Sequence, residues 1–407
     1  MLRFLLENPR WVFGGFLLTF CSSFGQTFFI SLSAGDIRQE FGLSHGAWGA
    51  LYMLATIGSA LSLPKFGQIV DKRSVQSVSL LTIPVLAVAA AAMAFAQNVA
   101  MLLLAIYLLR LFGQGMMTHI ALTAMGRWFS AQRGKAVSLV VLGQNAGEAL
   151  FPLAFVSGAA ILGWRNAWLA GAALLVLLAL PAVAGLLAVE RAPRSSDPRP
   201  KQEGGRDWTR AEVLRDGAFY LLLLGVLAPP FIGTVVFFHQ IYLAELRGWP
   251  VGLIATAFPV MAVLTASFAL ISGQLIDRYS AVSLLPSFLL PLGLACLVIA
   301  FVPDRWAVFA FMALLGMSWG FSSTLFGAVW PEIYGIRHLG AIRSSIVAVM
   351  VLATALGPGL TGALIDLGVS YPAQIAVMGL YCLVVSGVLL VASRRIRTRL
   401  ALATTGG

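Results

Sequence analysis

Hydrophobic residues in this chain come in long unbroken runs, and the two-residue alternation of a membrane barrel is absent. Twelve apolar stretches reach about the 20 residues with which a helix crosses a ~30 Å hydrocarbon core. Their approximate limits are 11–33, 46–66, 77–97, 99–124, 136–158, 166–189, 218–244, 250–272, 280–302, 306–329, 344–366 and 372–393, numbered here as spans one to twelve. Residues 248–276, 279–303 and 306–331 hold no charged side chain at all. The pattern predicts an all-α membrane protein with twelve transmembrane helices in two pseudo-symmetric halves of six. Segment 190–217, polar and rich in Pro and Gly, breaks the series in its middle. The expected organisation is therefore a first six-helix half over 1–189, a cytoplasmic central loop over 190–217, a second half over 218–393 and a cytoplasmic tail over 394–407. Within the loop, Thr209-Arg210-Ala211-Glu212 has the spacing of a capping box, and 207–216 reads as a short helix on the inner membrane face.

Composition supports this picture. Hydrophobic residues make up 59% of the 407 and charged residues only 11%, with a mean hydropathy of +0.90. Soluble domains average about 45–50% and 25%, so a soluble enzyme and a disordered chain are both excluded. A net charge of +11 would suggest nucleic acid in a soluble protein, but here the basic residues sort by membrane side. With the N-terminus inside, only Arg38, Arg165, Arg247 and Arg305 fall outside, and Arg110 falls within the membrane. Such asymmetry predicts a multi-pass protein of the bacterial plasma membrane with both termini cytoplasmic. The first span is preceded by only three charges and lacks a small-residue cleavage site, so it reads as a retained helix. Cys21, Cys296 and Cys382 lie in apolar stretches, an arrangement that suits neither a disulfide framework nor a metal cluster. There is no phosphate-binding loop, metal-ligand spacing or Ser/His/Asp set. We expect no cofactor, no metal, no enzymatic activity and no nucleic-acid partner. The expected partners are the lipid bilayer, a small-molecule substrate and protons, with the chain working as a monomer.

The two halves repeat. Gly67-Gln68-Ile69-Val70-Asp71-Lys72 follows span two, and Gly273-Gln274-Leu275-Ile276-Asp277-Arg278 follows span eight, 206 residues later. Internal duplication marks many secondary transporters. Twelve spans, a central loop and a G-x-x-x-D-[RK] element in both halves resemble the major facilitator superfamily across the whole chain. Arg110-Leu111-Phe112-Gly113-Gln114-Gly115 in span four resembles its R-x-x-x-G element, and Gly357-Pro358-Gly359-Leu360-Thr361-Gly362 in span eleven is a third, weaker match. Arg127-Trp128-Phe129 through Arg133-Gly134-Lys135-Ala136, the glycines of span five, Trp208 to Phe219 and Phe238-His239-Gln240-Ile241-Tyr242 are similar to the oxalate/formate and monocarboxylate porter branch. The resemblance implies a secondary transporter working by alternating access. It also implies that Gly67, Asp71, Lys72 and Arg73, with Gly273, Asp277 and Arg278, form a cytoplasmic gate latch. A topogenic positive loop is the other reading of these residues.

Two formal charges sit away from span ends, Arg110 and Glu148, each near mid-depth at ~1.5 Å per residue. A lone charge at a helix centre costs about 2.5–3.5 kcal/mol, so both are expected to face a polar cavity, either as a functional acid and base or as a static pair. Gln114 lies about a turn from Arg110, and Gln144 and Asn145 about a turn from Glu148. The functional reading gives Arg110 the substrate carboxylate and Glu148 the coupled proton. Gln26 joins Thr19, Ser22 and Ser23 in a polar stripe on span one. His239 and Gln240 sit in the outer third of span seven, above Pro229-Pro230, and His239 is a proton-coupling or gate candidate with packing as its alternative. His119 turns away from Arg110 on a straight helix, which favours packing. Trp319 is placed for substrate stacking or for core packing. Spans eight and eleven lack the basic residue that organic-anion porters of the branch carry, so anion binding falls to one arginine. A monocarboxylate transporter coupled to protons and a proton-driven exporter of drugs or metabolites both remain open at this stage. Gly143-x-x-x-Gly147 and Gly316-x-x-x-Gly320 predict close helix approach.

Overall fold

The computed structural model describes residues 2–129, 132–191, 207–335 and 337–405. The Pro/Gly-rich middle of the central loop lies outside them. Among the described residues every regular element is helical. Among the described residues ten helices are long and apolar enough to cross a membrane, and an eleventh crossing is counted if Pro9–Gly25 and Thr27–Phe41, bent by 46°, are one broken span. Where span nine was expected there is a shorter apolar helix, Leu290–Phe301, preceded by turns and the single-turn helix Ala281–Leu284. The described residues form two compact units. One holds everything up to Arg191 together with Phe238–Tyr242, and the other holds the described residues from Asp207 to Phe237 and from Leu243 onward.

In the first unit, helix starts are set by small polar residues. Ser44 and Asn98 accept hydrogen bonds from the backbone N–H groups of Ala47 (3.1 Å) and Met101 (2.9 Å), satisfying donors that lipid cannot. Spans one and five pack backbone to backbone. A methyl group on Gly143 would overlap the Phe16 carbonyl, and one on Gly147 would overlap the Ser23 hydroxyl. In the second unit, a methyl on Gly320 would overlap the Thr265 carbonyl, and one on Gly316 would sit 2.5 Å from the Met261 carbonyl. Both small-residue pairs therefore allow the close approach expected of them.

The duplicated loop is followed in each unit by the same helix start. Ser74 accepts from Ser77 N–H and Ser280 from Ser283 N–H. Each start is also met by a remote carboxylate. Glu190 Oε1 accepts from Val75 N–H at 2.7 Å, and Glu332 Oε2 accepts from Ala281 N–H at 2.8 Å. Anionic oxygens suit the positive end of a helix.

The linker end belongs to the second unit. The helix there is one turn, Arg210–Val213, and its capping box is closed: Glu212 Oε2 accepts from Thr209 N–H at 2.7 Å, and Thr209 Oγ1 accepts from Glu212 N–H at 3.4 Å. Trp208 N–H donates to the Tyr334 carbonyl. Asp216 ties this segment down by accepting from Tyr334 Oη (3.0 Å), Arg399 Nη1 (2.9 Å) and Ala218 N–H (3.1 Å). Burial alone would raise its pKa, but the bonds from Arg399, Ala218 and Tyr334 outweigh that and hold it below the ordinary carboxylate value. A depressed native pKa contributes stability that is present at neutral pH and lost as pH falls through that value. Asp216→Asn is therefore expected to lower the thermal midpoint in lipid nanodiscs at neutral pH, with the gap to the wild type closing on acidification into and below the carboxylate range. A constant gap across pH would show that the carboxylate charge contributes nothing.

Candidate functional site

Span four is not a uniform α-helix. Its middle, Leu109–Met117, is π-helical and carries Arg110 and Gln114. Wide turns of this kind are frequent at functional sites, and a second one, Leu175–Ala179, carries only apolar residues. Against it lies the break in span one. A 3₁₀ turn, Ser22–Gly25, ends at Gln26, whose extended backbone (φ −81, ψ 151) interrupts the helical ladder. The two segments touch through glycine. A Cβ on Gly113 would lie 2.7 Å from Gly25 Cα, and one on Gly25 would overlap the Leu109 carbonyl and the Gln114 nitrogen. The break frees the Gly25 carbonyl, which accepts from Arg110 Nη1 at 3.1 Å.

Arg110 is 5% exposed, and its guanidinium lies 5.3 Å from the Tyr52 ring centroid, within cation–π range. The Tyr52 hydroxyl is 2.6 Å from Thr27 Oγ1. Arg110 Nε is buried and has no hydrogen-bond partner. Glu148, 4% exposed, accepts from Gln144 Nε2 at 3.1 Å. Among the described ion pairs there is none between Arg110 and Glu148. The arginine is held instead by a carbonyl and an aromatic face, and the carboxyl by an amide.

The other candidates divide. Thr19 Oγ1 donates to the Val140 carbonyl (2.5 Å) and Ser22 Oγ to the Thr19 carbonyl (2.6 Å), so backbone absorbs both, while Ser23 Oγ stays buried without a partner. Gln26, Gln114 and Asn145 are half-buried. Gln240 Nε2 donates to the Phe28 carbonyl (2.8 Å) and to Ser31 Oγ (2.9 Å), and its Oε1 is buried and unpartnered. The buried ring of His239 lies 6.1 Å from that of His45. His119 packs on Gly67, with Nε2 3.1 Å from where a Cβ would stand. Trp319, in the second unit, is half-buried, covers Gly233 and meets Phe237 edge to face at 5.6 Å.

Of the loop motif, Gly67 closes His45–Gly67, and Asp71 lies in the single turn Ile69–Lys72. Arg127 Nη2 donates to the Val70 carbonyl (2.9 Å) and reaches Asp71 Oδ1 at 3.5 Å. Asp71, Lys72 and Arg73 are exposed, and a pair so hydrated contributes little to stability. Gly273, Asp277 and Arg278 end the helix Val251–Tyr279, where Arg278 lies over the Tyr279 ring at 5.3 Å. The sequence reading missed Gly25, Thr27, Tyr52 and the pairing role of Arg127. Tyr52 alone left a signal, a hydroxyl among apolar residues in span two.

Residues 15–358 match the family model of the Major Facilitator Superfamily. The chain belongs to this superfamily. It is accordingly a multi-pass membrane transporter and not an enzyme. A bacterial homolog of the human lysosomal transporter Spinster, solved inward-facing and unoccupied, is 20% identical, with a TM-score of 0.69 over 97% of this chain and 95% of that one. The nucleoside transporter NupG, solved as a point mutant, is 15% identical, with a TM-score of 0.68 over 95% and 99%. At these identities the superfamily members share a fold. Among curated proteins, none matches the sequence.

Proposed function

We propose that this transporter carries a small monocarboxylate-type organic anion together with protons, exposing it alternately to the two faces of the membrane. One observation carries the reading: a buried arginine whose Nε faces no acceptor, whose charge is not cancelled by Glu148, and which lies on the Tyr52 face at the break in span one. A carboxylate supplies the missing acceptor in a charge-assisted bond. Gln26, Gln114 and Asn145 are the neutral polar groups assigned to the rest of the ligand. Glu148, held by Gln144, is the proton carrier. The similarity to the monocarboxylate and oxalate/formate porters supports this substrate class. That resemblance also underlies the latch assigned to Gly67, Asp71 and Arg73 with Gly273, Asp277 and Arg278. The asymmetry of basic residues supports a bacterial plasma membrane location with cytoplasmic termini.

The test is counterflow in proteoliposomes with a panel of carboxylates, amino acids and cationic drugs, with and without a pH gradient. Carboxylates are expected to exchange, with net uptake driven by inward proton flow. Glu148→Gln is expected to keep exchange and lose acceleration by the gradient. Counterflow of cations alone, or an unchanged gradient response in Glu148→Gln, would overturn the reading.

A further inference from the structure

A second anion-binding feature lies in the first unit, apart from Arg110. A small recess opens where Ala34–Phe41, the start of His45–Gly67 and the segment Phe238–Tyr242 meet, and Arg38, His45, Trp48, Phe238, His239 and Tyr242 are among its lining residues. Three of these are basic, and no carboxylate is among its described lining residues. Arg38 is an exception to the charge pattern, one of few basic residues on the side poor in them. Arg165, another exception, is fully employed by Glu40, Ala94 and Ala96. The buried Nε of Arg38 has no hydrogen-bond partner. Glu40, two residues away, is committed to Arg165.

The floor of the recess is aromatic. Trp48 stacks on Phe238 at 5.6 Å and 19°. Beneath, the Phe238 ring is 4.7 Å from the Tyr52 ring, whose face carries Arg110. Two aromatic rings, Phe238 and Tyr52, therefore stand between the recess and the central arginine. A guanidinium and two imidazoles around an apolar floor suit a carboxylate head group, and a recess of about 10 Å³ takes no more than that, so the hydrocarbon remainder stays outside it.

We infer that the recess walled by Arg38, His45 and His239 is an entry site that binds the carboxylate of a small organic acid before it reaches Arg110, an inference that rests on Arg110 being the central carboxylate site. The site concentrates anions at the mouth of the path and orients them head first.

The test uses the full-length transporter, labelled with ¹³C-histidine, in lipid nanodiscs and titrated with pyruvate. The chain has four histidines, so single substitutions assign every resonance. His45 and His239 are expected to shift saturably, His119 and His338 to stay in place, and methyl pyruvate to produce no shift. Arg38→Gln is expected to abolish the response while His119 and His338 keep their wild-type positions, which certifies its fold. Arg110→Gln is expected to retain the response. No shift at His45 and His239, an equal shift with the ester, or a response surviving in a folded Arg38→Gln protein would overturn the entry site. If Arg110→Gln transports normally while the histidine shifts persist, the central reading fails and the recess still binds anions. If Arg110→Gln loses transport and no shift occurs, the recess fails alone.

Discussion

Arg110→Gln is expected to lower kcat/KM for carboxylate uptake by roughly ten- to a hundredfold, the worth of one hydrogen bond to a charged group at about 1.5–3 kcal/mol. The glutamine amide ends two bonds short of Nη1, so the bond to the Gly25 carbonyl goes with the charge. Arg110→Lys is not expected to rescue. Lysine keeps the charge but has no planar fork to hold the Gly25 carbonyl while leaving Nε for a ligand, and it cannot lie flat on the Tyr52 ring. Initial uptake rates in proteoliposomes, normalised to incorporated protein, check both variants. Wild-type carboxylate uptake in Arg110→Gln would remove the arginine from the site.

The largest loss of stability is expected from Gly25→Ala. The added methyl would overlap the Leu109 carbonyl and the Gln114 nitrogen and would stand 2.8 Å from Gly113 Cα. All three are backbone atoms of a neighbouring helix, so no side chain can swing aside and the helices must separate. Overpacking of this kind costs about 1–3 kcal/mol, and a rigid neighbour places this site at the upper end. Separation would also carry the Gly25 carbonyl away from Arg110, so transport falls with stability. Gly158→Ala is the control: nothing lies within 4 Å of its added methyl, and the glycine sits inside the helix Arg133–Leu162. It is expected to be neutral or slightly stabilising, since alanine is the better helix former. Thermal unfolding in nanodiscs reads both, and equal midpoints for the two variants would remove the tight contact.

Much of the fold was legible because lipid imposes a simple rule, long apolar runs with charges at their ends. Arg110 and Glu148 stood out for the same reason. What escaped was local backbone geometry. The faces of span four were counted on a 3.6-residue helix, but the π-helical stretch Leu109–Met117 changes that count between Arg110 and His119. No residue type announces a π turn. The free Gly25 carbonyl was hidden likewise, because a break at Gly25-Gln26 has no proline to mark it. Span nine is short because Leu285 to Leu289 form turns, and Pro286-Ser287 within them is the signal that the count of apolar residues passed over. Tyr52 and Arg38 acquire their significance only from what the fold lays beside them.

The two remote carboxylates bear on the internal repeat. The duplicated stretch runs past the loop into the next helix, since Ser74 and Ser280, like Gly67 and Gly273, stand 206 residues apart. Their carboxylates do not: Glu190 comes from just past span six, Glu332 from the last turns of the helix Trp306–Tyr334. The two helix starts therefore meet the same electrostatic demand with carboxylates from places in the chain that do not correspond, so the repeat in sequence does not extend to the partners that satisfy it.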